Sequence, residues 1–196
     1  MNIELIGNPS YGAWNTITDG LSENSIVYSL GVGDDVSWDL ELIRKFGCKV
    51  FAFDPTPYAI EWISKQQLPD AFRFFPVGIS DHDGTSAFFT KKNVPTNKNL
   101  STLIFDGDAI ELPVKRLATV MKELGHGRID ILKMDIEGSE YAVIRDMRNI
   151  VIRQLLVEMH NPTSKRLHYP IARLRLWMRG FREFAKHQED HSFIHV

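Results

Sequence analysis

The chain has 196 residues, 43% of them apolar, and a formal net charge of −2. That is enough for one ordinary domain with its own core, and too near neutral for general attraction to nucleic acid or to a membrane surface. A lone cysteine, Cys48, excludes an intrachain disulfide framework and suits a reducing compartment.

No apolar run approaches bilayer length, and Met1 to Asn24 lacks a basic region followed by an apolar one, so a cytoplasmic protein is expected. That first segment carries Tyr11-Gly12-Ala13-Trp14, which either packs in the core or folds over a ligand. Four β-branched, apolar runs predict buried strands: Ser25 to Leu30, Lys49 to Phe53, Ile129 to Met134 and Ile152 to Met159. Helical spacing falls between them, over Ser37 to Phe46, Pro57 to Gln67, Arg116 to Leu124 and Ser139 to Arg148. Phe72 to Val77 and Ser86 to Thr90 predict shorter strands around the turn Asp81-His82-Asp83-Gly84. Lys91 to Glu111 is polar and aperiodic, and a loop of that length in a tight domain predicts a lid. A last helix is expected over Lys165 to Met178, with Leu167, Ile171, Leu174 and Met178 on one face. A hairpin of Phe181 to Lys186 and Ser192 to Val196 should follow, turning at Glu189-Asp190. Strands alternating with helices give an α/β fold with a doubly wound, mostly parallel, Rossmann-like sheet.

In such sheets ligands sit outside the carboxyl ends of the strands. The first long strand ends in Gly31-Val32-Gly33-Asp34-Asp35, a G-x-G turn that lets a cofactor approach the backbone. Asp54 ends the next strand and lies 54 − 33 = 21 residues beyond Gly33, close to the roughly 20 expected of a ribose-binding carboxylate. Charge selects the cofactor. A dinucleotide needs a third glycine and an unencumbered helix start for its pyrophosphate, whereas this loop has Val36 at that position and two aspartates beside it. S-adenosylmethionine carries a cationic sulfonium and a cationic ammonium and no phosphate, so an acidic loop suits it.

The densest chemistry lies in Asp130 to Glu140, where a strand runs into Asp135 and Glu137, turns at Gly138 and starts a helix. Residues two apart on an extended segment share a face, so both carboxylates reach one crevice. A simpler role for Glu137 and Glu140 is to complement the positive end of that helix. Glu158 and His160 end the next strand beside them. An alcohol acceptor must lose a proton, and His160 is the expected base because imidazole titrates nearest working pH, with Asp135 orienting it. Carboxylates with a histidine also suit a divalent ion, although no tight ligand motif is present.

Taken together these segments resemble the FkbM-type methyltransferases. The matching pieces are Tyr28 to Asp35 with Ser37-Trp38-Asp39, Phe51 to Pro57, Val77 to Asp81 with Gly84, Ile129 to Glu140, and Leu155 to His160. Lys133-Met134-Asp135-Ile136-Glu137-Gly138-Ser139-Glu140 is the most specific of them. The resemblance implies a class I fold, a seven-stranded sheet whose last strand is antiparallel, and methyl transfer, commonly to a hydroxyl of a sugar or natural product. It implies that Gly31 and Gly33 line the cofactor, that Asp54 with Pro55 binds the ribose, and that Ser80 and Asp81 flank the adenine. Where many class I enzymes carry an acid before the first glycine, this chain has Ser29, so Asp34 or Asp35 is expected to meet the methionine part. A small-molecule acceptor is expected, and a homo-oligomer is compatible with so short a chain. N- or C-methylation, a protein acceptor and a silent cofactor-binding module are the alternatives.

Overall fold

The computed structural model describes residues 1–90, 100–102, 108–160 and 167–196. Its centre is a seven-stranded sheet built from β3 (Ile26–Leu30), β4 (Lys49–Phe53), β5 (Phe72–Phe75), β10 (Ile129–Met134), β11 (Ile152–Glu158), β12 (Phe181–His187) and β13 (Asp190–His195). Across the sheet the order is β12-β13-β11-β10-β3-β4-β5. The five strands from β11 to β5 are mutually parallel, and β13 runs antiparallel to both its neighbours. This is the class I methyltransferase arrangement that the resemblance implied.

The strands form where they do because both faces of a parallel sheet are covered, which demands continuous apolar runs. All six residues of β10 are buried. One face packs Leu132, Met134, Leu155 and Leu117 into a core with helices α3 (Leu117–Leu124), α4 (Glu140–Asp146) and α5 (His168–Met178). The other packs Ile131, Val50 and Leu156 against Trp38 and Leu42 of α1 (Ser37–Phe46). That helix ends at Gly47 in the left-handed conformation, whose amide donates to the Ile43 carbonyl at 2.8 Å. Helix α2 (Pro57–Ile63) starts with proline at its first position, and the Thr56 hydroxyl accepts from the Ala59 amide at 3.3 Å. Cys48 is buried in the α1 side of the core, and burial pushes its thiol up to about 11, so it is an inert core residue.

Several boundaries differ from the sequence expectation. Helix α2 ends at Ile63 rather than near Gln67, and α4 spans Glu140–Asp146 rather than Ser139 to Arg148. Met1 to Asn24 contains a hairpin, β1 (Ile3–Ile6) with β2 (Trp14–Ile17). It is anchored by Gln154 of β11, whose buried amide accepts from the Ile17 amide at 2.9 Å and donates to the Ile17 carbonyl at 2.8 Å. A four-stranded sheet of order β6-β9-β7-β8 joins β6 (Gly78–Ser80), β7 (Gly84–Thr90), β8 (Leu100–Ser101) and β9 (Ala109–Arg116). The expected lid therefore contributes strands at Leu100–Ser101 and from Ala109 onward, while residues 91–99 and 103–107 of it lie outside the described residues. So do residues 161–166, where the last helix was expected to begin.

Helix α5 turns Ala172 and Leu176 to the core and leaves Leu167, Ile171, Leu174 and Met178 exposed. The closing hairpin turns at Gln188, which has φ +54, so Asp190 opens β13 instead of forming the turn. Among the described residues no helix is long and apolar enough to cross a membrane.

Candidate active site

At the carboxyl ends of β4, β3, β10 and β11 the sheet opens into a cavity of about 270 Å³. The strand ends are lashed together. The Gly31 amide donates to the Phe53 carbonyl at 3.0 Å, and the Asp135 amide donates to the Leu30 carbonyl at 2.9 Å. Gly31 has φ +80, and a Cβ there would lie 1.7 Å from the Asp135 carbonyl oxygen, so only glycine lets the two strand ends approach this closely. Gly33, at φ +56, has nothing within 4 Å of its Cβ position and faces open space in the cavity.

Asp54 lines the cavity but is already fully engaged. One of its oxygens accepts from the Val32 and Gly33 amides at 2.9 and 3.1 Å. The other accepts from the Thr56 amide and hydroxyl at 2.9 and 2.6 Å. A carboxylate has about four lone-pair sites, so Asp54 is the clasp of the G-x-G turn, a different partner set from the ribose contact expected of it. Asp35 accepts from the Ser37 amide at 2.6 Å and starts α1, while Asp34 accepts from the Tyr58 hydroxyl at 2.8 Å. Both line the cavity, as do Tyr11, Gly12, Ala13 and Trp14 from the N-terminal segment. Pro55, Ser80 and Asp81 are not among the lining residues. Asp81 is instead paired with Arg145 and with His82, whose Nδ1 lies 3.1 Å away.

The other end is built differently. Glu137, with φ +50, and Gly138, with φ +107, form the turn after β10. Two contacts from the second sheet brace it, as the Ser101 hydroxyl and Thr102 amide donate to the Glu137 carbonyl at 2.9 and 3.1 Å. Glu140 is wholly buried and accepts from the Ile136 and Gly138 amides at 3.1 and 2.9 Å. It thus does the helix-end work that the simpler reading gave to both glutamates, and leaves Glu137 to line the cavity with Asp135 and Glu158. Burial and the neighbouring Asp135 charge push Glu158 up to about 8. The same two causes raise Asp190, which the antiparallel β13 places opposite Glu158.

His160 sits behind this row and does not line the cavity. Its Nδ1 meets Glu140 at 3.1 Å, and its Nε2 faces Glu137 at 3.6 Å and Glu158 at 3.8 Å. Burial alone would lower its pKa, but the Glu140 hydrogen bond and the charges of Glu140, Glu158 and Glu137 outweigh it and carry it to about 10. These carboxylates favour the protonated ring, which works against the base role expected of it. Ligand atoms of Asp135, Glu140 and His160 do lie within 4.8 Å of one another. Both oxygens of Glu140 are committed to backbone amides and one of them also to His160, so this donor set does not fit a divalent ion without dismantling the turn.

The model of the methyltransferase FkbM domain matches residues 14–186. The chain belongs to this family. A probable methyltransferase-like protein 24 from Homo sapiens is 27% identical over 149 residues, covering 74% of this chain and 33% of that protein. The methyltransferase sdnD of Sordaria araneosa is 26% identical over 166 residues, covering 66% of this chain and 64% of that protein. The chain thus spans about a third of the length of the human relative. Among solved structures, Aeropyrum pernix fibrillarin with natively bound S-adenosyl-L-methionine has a TM-score of 0.51 at 12% identity, over 89% of this chain and 66% of that one. A Methanococcus jannaschii fibrillarin, described as a pre-rRNA processing protein, has a TM-score of 0.50 at 10% identity, covering 89% and 67%. Likeness at that identity shows the class I fold.

Lys133, Thr56, Tyr58, Leu100 and Asp190 also line the cavity of this FkbM domain, and the sequence analysis gave none of them a site role. A signal existed for Lys133, because a lysine inside an otherwise apolar, buried strand demands a charge partner or a ligand. None existed for Asp190, whose place depends on which residue of the hairpin takes the left-handed turn.

Proposed function

We propose that this FkbM domain binds S-adenosylmethionine in the cavity and transfers its methyl group to a hydroxyl oxygen of a small acceptor such as a sugar or natural product. The observation that carries the reading is the cavity's charge. Carboxylates of Asp34, Asp35, Asp135, Glu137, Glu158 and Asp190 surround it at the strand ends of a class I sheet, a set that attracts a sulfonium and an ammonium and would repel a pyrophosphate. Gly33 faces open space there, as close approach of a cofactor requires.

When bound, S-adenosylmethionine supplies a methyl carbon already activated by its positive sulfur. The residues then have two tasks, alignment and proton removal. The clasp of Asp54 on the Val32 and Gly33 amides fixes the turn against which the cofactor would lie. Ser80, Asp81 and Pro55 do not line the cavity, so in this reading the adenosine contacts fall first to Asp34 and Tyr58, which do. Glu158 is the base in this reading. Its pKa of about 8 lies close to working pH, which lets it hold an alcohol proton as the oxygen attacks. An oxygen acceptor fits that match, since a neutral hydroxyl is a poor nucleophile until its proton is taken. Asp135 shares the acceptor's hydrogen bonds, and His160 is a positioning residue whose positive charge restrains the pKa of Glu158.

A binding measurement combined with an acceptor screen tests this. S-adenosylhomocysteine should bind the protein and raise its Tm. Labelled S-adenosylmethionine should pass its methyl to a hydroxyl compound, and Glu158→Gln should cut transfer by about 10² to 10⁴ without abolishing binding. Absence of S-adenosylhomocysteine binding overturns the cofactor reading, and label recovered on nitrogen or carbon overturns the oxygen assignment.

A further inference from the structure

Among the described residues the cavity is lined by seven carboxylates and by a single cation, Lys133. The side chain belongs to a strand buried on both faces and is only 6% exposed, yet it lines the cavity, with its ammonium beside Gly31 of the same wall. One of its three donors goes to the Gly31 carbonyl at 3.1 Å, and the Trp14 ring centroid lies 5.9 Å away. Beneath it lies Asp39, 1% exposed, which the Lys133 charge stabilises as a carboxylate against burial. Asp39 Oδ1 nevertheless accepts no hydrogen bond. The ammonium has therefore not closed onto the buried carboxylate, and leans instead toward the strand end and the cavity.

We infer that Lys133 is the anion-binding group of this site and holds the carboxylate at the amino-acid end of S-adenosylmethionine. The inference rests on the cofactor reading above and adds how that cofactor is oriented. The Asp54 clasp marks the β4 side, and Asp135 with Glu158 marks the β10–β11 side where methyl transfer occurs. A cofactor joining the two must cross the end of β3, and Gly31 is the residue there whose carbonyl Lys133 holds. The carboxylate is the cofactor's only anionic group. Among seven carboxylates it is repelled everywhere except at the one ammonium. Ser29, directly opposite Lys133 in the β3–β10 register, is neutral, so no acid at the end of β3 competes for the ammonium.

The test uses two ligands that differ only in the carboxylate: S-adenosylhomocysteine and its decarboxylated analogue, S-adenosyl-3-thiopropylamine. Calorimetry on the wild-type protein should show S-adenosylhomocysteine binding about 10- to 100-fold more tightly, the range expected of a charge-assisted hydrogen bond. Lys133→Met should erase that advantage, bringing S-adenosylhomocysteine down to the affinity of the analogue while changing the analogue less than about threefold. Because this substitution leaves Asp39 without its counter-charge, the double variant Asp39→Asn, Lys133→Met repeats the measurement with both charges removed. Equal wild-type affinities for the two ligands overturn the inference whether or not either variant folds. So does a folded variant that keeps the advantage, or one in which both ligands weaken in parallel, the mark of a purely structural lysine. If neither ligand binds the wild-type protein, the cofactor reading itself has failed.

Discussion

The carboxyl ends of β4 and of β10–β11 open onto one cavity and both are acidic, but their charges are managed in opposite ways. Asp54 at the end of β4 receives four hydrogen bonds from backbone and hydroxyl donors. At the end of β11, Glu158 has Asp135 as its neighbour, and Asp190 stands opposite in the antiparallel strand. Burial and like charge raise the pKa of Glu158 and of Asp190. The first carboxylate builds a rigid turn. The second group holds protons that chemistry can use, and that costs stability. On the proposed function, a stable end would grip the cofactor and a frustrated end would do the reaction, the division expected where pKa values are tuned for catalysis.

The largest effect should come from the glycine where the two ends meet. Gly31→Ala places a Cβ 1.7 Å from the Asp135 carbonyl, whose strand end is pinned by the Leu30 bond, and adds strain at φ +80. A loss exceeding about 4 kcal/mol in urea unfolding is expected, the range reserved for severe packing faults. Gly33→Ala has open space and should cost only about 1–2 kcal/mol, from φ +56 alone. Similar losses for the two would mean that the strand ends do not meet as described.

Glu158→Gln should lower turnover by about 10² to 10⁴ at saturating acceptor, the usual contribution of a positioned base, and near-normal turnover would remove Glu158 from that role. His160 sharpens the point. Its charge lowers the pKa of Glu158, so His160→Gln should shift the acidic limb of the kcat profile to higher pH. If His160 were itself the base, that limb would vanish instead of moving.

Asp54→Asn should behave as the opposite of Glu158→Gln. It turns an all-acceptor clasp into a group with two donors facing the donors of Val32, Gly33 and Thr56, and should cost about 2–3 kcal/mol of stability. Glu158→Gln removes repulsion and should leave the unfolding midpoint at pH 9 unchanged or higher. Parallel losses in the two variants would erase the distinction between the ends.

How far this contrast was legible in the sequence follows from what each part depends on. Strands β3, β4, β10 and β11 announce themselves, since strands covered on both faces must be apolar throughout. The G-x-G turn, Asp54 and the Asp135–Glu137 segment are local patterns and were found in place. The β6-β9-β7-β8 sheet was not legible, because its pairing of Gly78 with Val114 joins distant segments. The spacing of Leu167, Ile171, Leu174 and Met178 correctly marks a helix, but periodicity cannot say which face finds a core, and the structure gives that place to Ala172 and Leu176. The protonation of His160 was hidden for a similar reason. The charged state of His160 depends on its partner Glu140, which lies twenty residues away on another element.

The β11 end also gives stability a pH dependence whose sign follows from its raised carboxylate and imidazole. Glu158 titrates near 8 when folded against 4.5 as a free side chain, and His160 near 10 against 6.5. Between each pair of values the folded state keeps a proton that the unfolded chain has released, so stability falls as pH rises. The contribution of Glu158 is whole below 4.5 and gone above about 8, and that of His160 is whole below 6.5 and gone above about 10. Urea midpoints of the wild-type protein should therefore decline from pH 6 to pH 10. Glu158→Gln should make the decline shallower below about pH 8, and His160→Gln should make it shallower between about 6.5 and 10. Asp54→Asn should lower the whole curve, because it takes away the acceptor of four hydrogen bonds. A Glu158→Gln protein with the wild-type slope would show that the carboxylates after β10 and β11 are solvated rather than opposed, and the difference between the two ends would then lie in geometry alone.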